Sequence, residues 1–197
     1  MFTGIIKHTA ELVEKEISGS SAILTFQSEL TPHLHIDQSV SHNGVCLTVE
    51  KIDGEKYRVT AVKETLQRTT LGKWVPGRKV NLELSATPTT LLDGHIVQGH
   101  IDCRATVSRI EEAGGSWFFY FELPTKFHHL IVEKGSVAVD GVSLTIASLD
   151  SKGFSVAIIP YTFEHTGFSS LNTRDEVNLE FDVIGKYVSR ILNAKNV

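Results

Sequence analysis

Short apolar-rich runs punctuated by turn residues fill most of this chain. "CLTVEKI" (46–52), "YRVTAV" (57–62), "KVNLEL" (79–84), "WFFYFEL" (117–123), "SLTIASL" (143–149) and "FSVAII" (154–159) are rich in β-branched or aromatic residues and partly alternate apolar with polar. That pattern predicts strands, each half buried. Asp53-Gly54, Gly114-Gly115 and Lys152-Gly153 mark tight turns between them. Many short strands with small turns predict closed or nearly closed antiparallel barrels, because closure removes exposed edges. The period changes only in the last stretch, "VIGKYVSRILNAKNV" (183–197). There Ile184, Val188, Ile191 and Leu192 fall at helical spacing while Lys186, Arg190 and Lys195 are basic. A lone amphipathic helix must bury its stripe on its own barrel or on another copy.

The pattern is also written twice. "SVSHNGVCLTVEKID" (39–53) returns without a gap as "SVAVDGVSLTIASLD" (136–150), an offset of 97 residues. At the same offset Thr65 matches Thr162, Thr69 matches Thr166, and "VNLE" at Val80 matches "VNLE" at Val177. "GIIKHTA" from Gly4 lines up with "GHIDCRA" from Gly99 at an offset of 95, so one small indel lies between Ala10 and Ser39. A period near 97 is too long for a solenoid, whose repeats run about 20–50 residues. It predicts two similar compact domains in tandem: residues 1–94, with "SATPTTLLDG" (85–94) as the connection, residues 95–182, and a tail over 183–197. The copies differ pointedly at one place, Cys46 in the first and Ser143 in the second. Asn43-Gly44 and Thr48, kept in both halves as Asp140-Gly141 and Thr145, are more than an apolar core needs, and they point to a duplicated site.

Composition narrows the function classes. The 197 residues carry a net charge of −4 and no basic footprint, which argues against nucleic acid as a partner. No run approaches the ~18 apolar residues of a membrane helix. The start, "MFTGIIKHTAELVE", shows no secretory signal pattern. Two isolated cysteines, Cys46 and Cys103, make no disulfide framework, so a cytoplasmic protein with free thiols is expected. A metal hydrolase built on His95, His100 and Asp102 is disfavoured, since His-x4-His on a strand would point to opposite faces and no third histidine sits at metal-site spacing; His128-His129 reads as surface. No metal is expected, and no nucleotide fingerprint is present.

"MFTGII", "NGVCLTV", "GHIVQGHID", "KGSVAVDGVSLTI" and the closing "VNLEFD" followed by a helix resemble the alpha-type riboflavin synthase family, in order and over essentially the whole chain. The resemblance implies an all-β fold of two tandem six-stranded antiparallel Greek-key barrels with a C-terminal α-helix. It implies a transferase needing no cofactor, which dismutates two molecules of 6,7-dimethyl-8-ribityllumazine to riboflavin and 5-amino-6-(D-ribitylamino)uracil. A homotrimer through the C-terminal helix is implied, with each active site between the first barrel of one subunit and the second barrel of its neighbour; association with lumazine synthase belongs to the same expectation.

By position, the family's ligand-binding segments fall on Gly4, Ile5 and Ile6, on Cys46, Leu47 and Thr48, and on Thr60, Ala61, Val62, Lys63, Glu64 and Thr65 in the first barrel. In the second they fall on Gly99, His100 and Ile101, on Lys134, and on Ser143, Leu144 and Thr145. The last segment there is Ile159, Pro160, Tyr161, Thr162, Phe163 and Glu164. Gly4 and Gly99 would let backbone approach the ring. His100 is the candidate for proton transfer. Ser39 and Cys46 are candidates for the nucleophile or for orienting water, and Ser143 and Thr145 for binding and orientation. Asp182 either polarises a neighbouring hydroxyl or histidine, or caps the tail helix. Tyr161 and His165 stand where the first copy has Glu64 and Arg68, so the second pocket is expected to hold its ligand differently. A non-catalytic chromophore carrier of the lumazine protein kind is the nearest alternative; Ser39, Cys46, His100 and Thr145 occurring together favour an enzyme.

Overall fold

The computed structural model describes residues 1–194; Lys195, read above as part of the basic face, lies outside them. The chain forms two closed six-stranded antiparallel barrels, followed by a helix. The first comprises β1 (His8–Ser18), β2 (Ser21–Gln27), β3 (Ser39–His42), β4 (Val45–Asp53), β5 (Lys56–Ala61) and β6 (Lys79–Leu84), closed in the order β1-β2-β5-β4-β3-β6. The second comprises β7 (Cys103–Ala113), β8 (Ser116–Glu122), β9 (Ser136–Val139), β10 (Val142–Leu149), β11 (Gly153–Ile158) and β12 (Glu176–Phe181). Its strand order is the same. A short helix follows the fifth strand of each barrel, α1 (Lys63–Arg68) and α2 (Pro160–His165), and α3 (Val183–Ala194) closes the chain.

Alternation drives these strands: in β5, Tyr57, Val59 and Ala61 face the core while Lys56, Arg58 and Thr60 face outward. Each barrel also carries two register shifts at matching places, Leu12/Glu14 with Val107/Arg109 and Val49/Lys51 with Ile146/Ser148. Such bulges sharpen the coil that lets six strands close. Six strands are plain in the apolar pattern; β1, β2, β3, β7, β9 and β12 are not singled out by it. In β1 and β7 the reason is visible, because their second halves run past the core and are mostly exposed and polar. Val62 and Ile159, expected at strand ends, instead stand before α1 and α2 and are exposed.

The barrels meet about a pseudo-twofold axis, and segments cross it in both directions. Ile6 packs into the core of the second barrel, and Ile101 into the core of the first. Ser143 N–H donates to Gly4 O (2.8 Å), and Cys46 N–H to Gly99 O (3.0 Å). The two crossing segments are held by matching carboxylates. Glu83 accepts from Thr3 N, Thr3 Oγ1 and Gly4 N; Glu180 accepts from Gln98 N, Gly99 N and His100 N. On the axis, the Asn81 amide donates to Asp140 O and accepts from Gly167 N, while the Asn178 amide donates to Asn43 O and accepts from Thr70 N. Asn43-Gly44 and Asp140-Gly141, read above as signs of a site, are the two-residue hairpin turns that build this joint, with φ of 46° and 81° in one and 44° and 81° in the other. A Cβ on Gly44 would stand 2.8 Å from Gly141 N, so glycine is what lets the turns touch.

Candidate active site

The repeated hairpins present their small polar side chains away from the barrel cores. Ser39 lies opposite Thr48 and Ser41 opposite Cys46 across β3–β4, so the four share one face, while Val40, Leu47 and Val49 fill the core from the other. In the second barrel the same face carries Ser136, Ala138, Ser143 and Thr145. A ligand reading these groups therefore lies against the outside of each barrel. Leu47, Ala61, Ile6 and Ile101 are core side chains, so of these expected ligand-binding residues only the backbone is available.

The first of these neighbourhoods, here the first half-site, is a cleft of about 460 Å³. Cys46 from β4, Glu64, Thr65 and Arg68 from α1, His100 and Asp102 from the segment leading into β7, and Lys186 from α3 line it. The sequence-based assignment put Gly99, His100 and Ile101 with the second barrel's pocket. The structure puts them beside Cys46, because the chain crosses the joint before entering β7. By the same exchange Gly4 backs onto Ser143, in the second barrel. Gly4 and Gly99 give close approach to the partner hairpin: a Cβ on Gly99 would be 2.5 Å from Cys46 Cβ, and one on Gly4 2.6 Å from Ser143 Cβ.

The charged groups of this cleft are arranged in pairs. Lys186 Nζ is 2.6 Å from Asp102 Oδ2, which also accepts from Phe181 N. Arg68 and Glu64 form an exposed pair at 3.3 Å, worth ~0–1 kcal/mol on such a surface. The His100 side chain is exposed in the cleft, and burial raises the carboxyl pKa of Glu180, whose carboxylate holds the His100 backbone. Thr60, further along β5, bonds Glu50 at 2.8 Å, and Val62 and Lys63 open α1 on the exposed side.

The second half-site is built on the same plan from different side chains. Ile5 takes the place of His100, Ser143 of Cys46, and Tyr161 and His165 of Glu64 and Arg68. Tyr161 and His165 stack at 4.1 Å, and Phe163 lies flat on Trp117 at 3.8 Å. Thr162 is half buried and takes the Thr166 hydroxyl on its carbonyl. Ile159 and Pro160 begin α2 at the exposed edge, Leu144 is half buried, and Thr145 and Lys134 are exposed, Lys134 with a φ of 65°. Beside this region Lys7, His165 and Glu164 line a groove of about 740 Å³.

Asp182 does cap α3, accepting from Ile184 N at 2.9 Å, and its charge also opposes the drop that burial causes in the pKa of His95. His95 itself is buried, with Nδ1 2.7 Å from Ser143 Oγ. The segment holding His95 and His100 is not a strand, so the alternation argument against a shared metal does not apply to it. What separates them is their partners: His95 faces Ser143, His100 the first cleft, and Asp102 takes Lys186. Among the described residues no group of three or more His, Cys, Asp or Glu is placed to hold a metal ion. Lys186, Glu83 and Glu180 are the participants that sequence reasoning did not single out as binding or catalytic, and His95 and Asp102 entered it only with His100 as a disfavoured metal site. The glutamates had a signal, since both end a repeated "VNLE".

Comparison with known proteins agrees with this architecture. A family model described as the lumazine binding domain matches twice, over residues 3–85 and 98–182. Riboflavin synthase of Bacillus subtilis is 36% identical over 197 residues, covering 100% of this chain and 92% of the relative. That of Mycobacterium bovis is 38% identical over 200 residues, covering 98% and 99%. Among solved structures, LumP complexed with riboflavin superposes with a TM-score of 0.86 at 22% identity, over 92% of this chain and 99% of that one. LumP complexed with 6,7-dimethyl-8-(1'-D-ribityl) lumazine gives 0.83 at 21% identity, over 91% and 98%. At that identity these two establish the fold. With the tandem match and relatives aligned end to end, the chain belongs to the riboflavin synthase family.

Proposed function

We propose that the two half-sites divide one reaction between them. The activity is the family's, a transferase reaction in which two 6,7-dimethyl-8-ribityllumazine molecules give riboflavin and 5-amino-6-(D-ribitylamino)uracil. The observation that carries the division of labour is the unequal pairing of twins: Cys46 and His100 in one half-site, Ser143 and Ile5 in the other.

The 7-methyl group of the lumazine is acidic because its carbanion is delocalised into the ring, so a base of ordinary strength can remove its proton. His100, exposed in the cleft, takes that part as the general base. Cys46 or Ser39, on the shared face of β3–β4, adds to C7 of the activated molecule or orients the water that does. Ser143 and Thr145 hold the other molecule. Stacking the two rings in register supplies the greater share, since orientation of two reactants is worth ~7–11 kcal/mol.

A half-site of one chain facing the unlike half-site of another, the family's arrangement, brings the two rings face to face. Assembly through α3 supplies this arrangement. Ile184, Tyr187, Val188, Ile191 and Leu192 are 49–69% exposed on that helix, an apolar stripe that its own barrel does not cover. We take the assembly to be the homotrimer of the family. Association with lumazine synthase is carried by the family resemblance. A cytoplasmic setting fits the free thiols Cys46 and Cys103. Among the described residues no helix is long and apolar enough to cross a membrane.

The test is to supply 6,7-dimethyl-8-ribityllumazine alone and follow riboflavin by its fluorescence. Two lumazines bound per chain, with turnover, support the reading; one held unchanged supports a carrier instead. His100→Ala is expected to lower turnover about 100-fold or more while lumazine binding is largely kept. Unchanged turnover removes His100 from the mechanism.

A further inference from the structure

The twins Cys46 and Ser143 differ in their neighbours as well as in their own atoms. Phe2 and Val97 pack beside Cys46, so the thiol sits against hydrocarbon. Ser143 sits against an imidazole: His95 Nδ1 is 2.7 Å from its Oγ. His95 is only 8% exposed, and its backbone N–H is pinned to Thr3 O at 3.1 Å. Its other ring nitrogen, Nε2, is buried with no hydrogen-bond partner among the described residues.

We propose that His95 is a positioning residue of the second half-site: its Nδ1–H donates to Ser143 Oγ and so turns the Ser143 hydroxyl hydrogen outward, toward an acceptor atom of the bound heterocycle. The inference rests on Ser143 lying in a ligand site, as proposed above. Burial lowers the pKa of the imidazole, and Asp182, the charged group acting on it, opposes this only in part, so the ring is neutral near pH 7. A neutral ring has one proton to place. On Nε2 it would be a buried donor with nothing to receive it, costing ~1–3 kcal/mol. On Nδ1 the unpartnered atom is a lone pair, which proteins tolerate better than an orphan N–H. Nδ1 is therefore the donor and Ser143 Oγ the acceptor. A hydroxyl that accepts from one side directs its own hydrogen elsewhere, and Gly94 closes one direction, since a Cβ there would stand 2.9 Å from Oγ. Apart from His95, no described residue is hydrogen-bonded to Ser143 Oγ, which leaves its hydrogen for a ligand on that face. The matching ligand chemistry is a carbonyl oxygen or a bare ring nitrogen. Cys46, a weak donor packed on hydrocarbon, makes no comparable offer, so the two half-sites select different edges or orientations of the same ring.

Asparagine and glutamine dissect the imidazole. The shorter amide, in His95→Asn, can place an N–H where Nδ1 stands; the longer one, in His95→Gln, places it where Nε2 stands. His95→Asn is expected to keep kcat/KM for 6,7-dimethyl-8-ribityllumazine within about threefold, whereas His95→Gln and His95→Ala lose about tenfold, chiefly in KM. In a Ser143→Ala background the His95→Ala loss should vanish. Equal losses for all three substitutions, or a loss that persists without the Ser143 hydroxyl, overturn the proposal. The unsubstituted protein gives an independent reading: nitrogen NMR of the His95 ring should show Nδ1 protonated and Nε2 bare, and the reverse tautomer overturns the donor assignment. Absence of turnover in the unsubstituted protein would instead strike at the enzymatic reading, leaving the tautomer measurement to judge His95.

Discussion

His42 is wholly enclosed in the first barrel, with Nε2 2.8 Å from the Tyr57 hydroxyl, Nδ1 3.1 Å from Val40 O and the Phe26 ring 4.8 Å away. The second barrel fills the same two positions with Val139 and Phe154. Burial pulls the His42 pKa from 6.5 to about 4, so the unfolded chain takes up a proton that the folded chain refuses. Stability from this residue is complete above about pH 6.5 and is lost as pH falls toward 4, by about 3 kcal/mol in all. Asp140, on the joint, runs the other way. Burial pushes its carboxyl from 3.8 up to about 7, so its contribution is complete below about pH 4 and is lost as pH rises to 7. The two slopes oppose each other over one interval. Installing the twin residues should separate them. Asp140→Asn, which matches Asn43, should make stability rise with pH relative to the parent; His42→Val with Tyr57→Phe should make it fall, with urea midpoints across that interval as the measurement. His42→Val alone should cost more than the pair, since it leaves the Tyr57 hydroxyl unpartnered in the core.

Among the elements, α3 gives the most direct test of assembly. It is tied to its own barrel by the Lys186–Asp102 pair and the Asp182 cap, leaving Ile191 57% exposed. Ile191→Asp should therefore leave the fold intact by circular dichroism while light scattering shows a monomer, and riboflavin formation should drop with the assembly. This helix was legible in the sequence because twelve residues carry a period. The six-residue helices α1 and α2 were not, since fewer than two turns cannot display one. The strongly alternating strands were likewise readable, whereas β1 and β7 hid because half of each faces solvent. Within the candidate site, Cys46 against Ser143 stood out from the repeat alone, and His100 from the family resemblance. Which barrel each segment serves did not, because Gly4 and Gly99 act across the joint and nothing in their spacing records the crossing. Nor can a repeated polar residue announce whether it holds a ligand or a backbone: Asn81 and Asn178 recur for the joint, as do Asn43 and Asp140.

Across the whole molecule the joint is the feature on which both half-sites depend, because each is walled by a segment of the other barrel. Gly141→Ala should test it. The substitution adds the strain of a left-handed turn, ~1–2 kcal/mol, and brings a Cβ to 2.7 Å from Gly44 N, which is backbone and cannot swing away. Gly54→Ala has a similar φ of 59° with no described residue within 4 Å of the new atom. Calorimetry should show the first variant melting well below the second, and comparable melting would mean that the joint yields easily.

The contacts at that joint are reciprocal: Ile6 does for one barrel what Ile101 does for the other, and Ser143 meets Gly4 as Cys46 meets Gly99. Such self-complementarity is the mark of a twofold dimer of identical subunits. The tandem chain reads as an ancestral homodimer sealed into one polypeptide. Sealing it released the two copies from identity, because a change at position 46 no longer had to appear at 143, and unlike partners for one substrate became attainable. Residues 1–94 expressed by themselves would lack Ile101 and leave Ile6 unhoused; two such fragments can trade these anchors, and sedimentation should find them at twice the fragment mass.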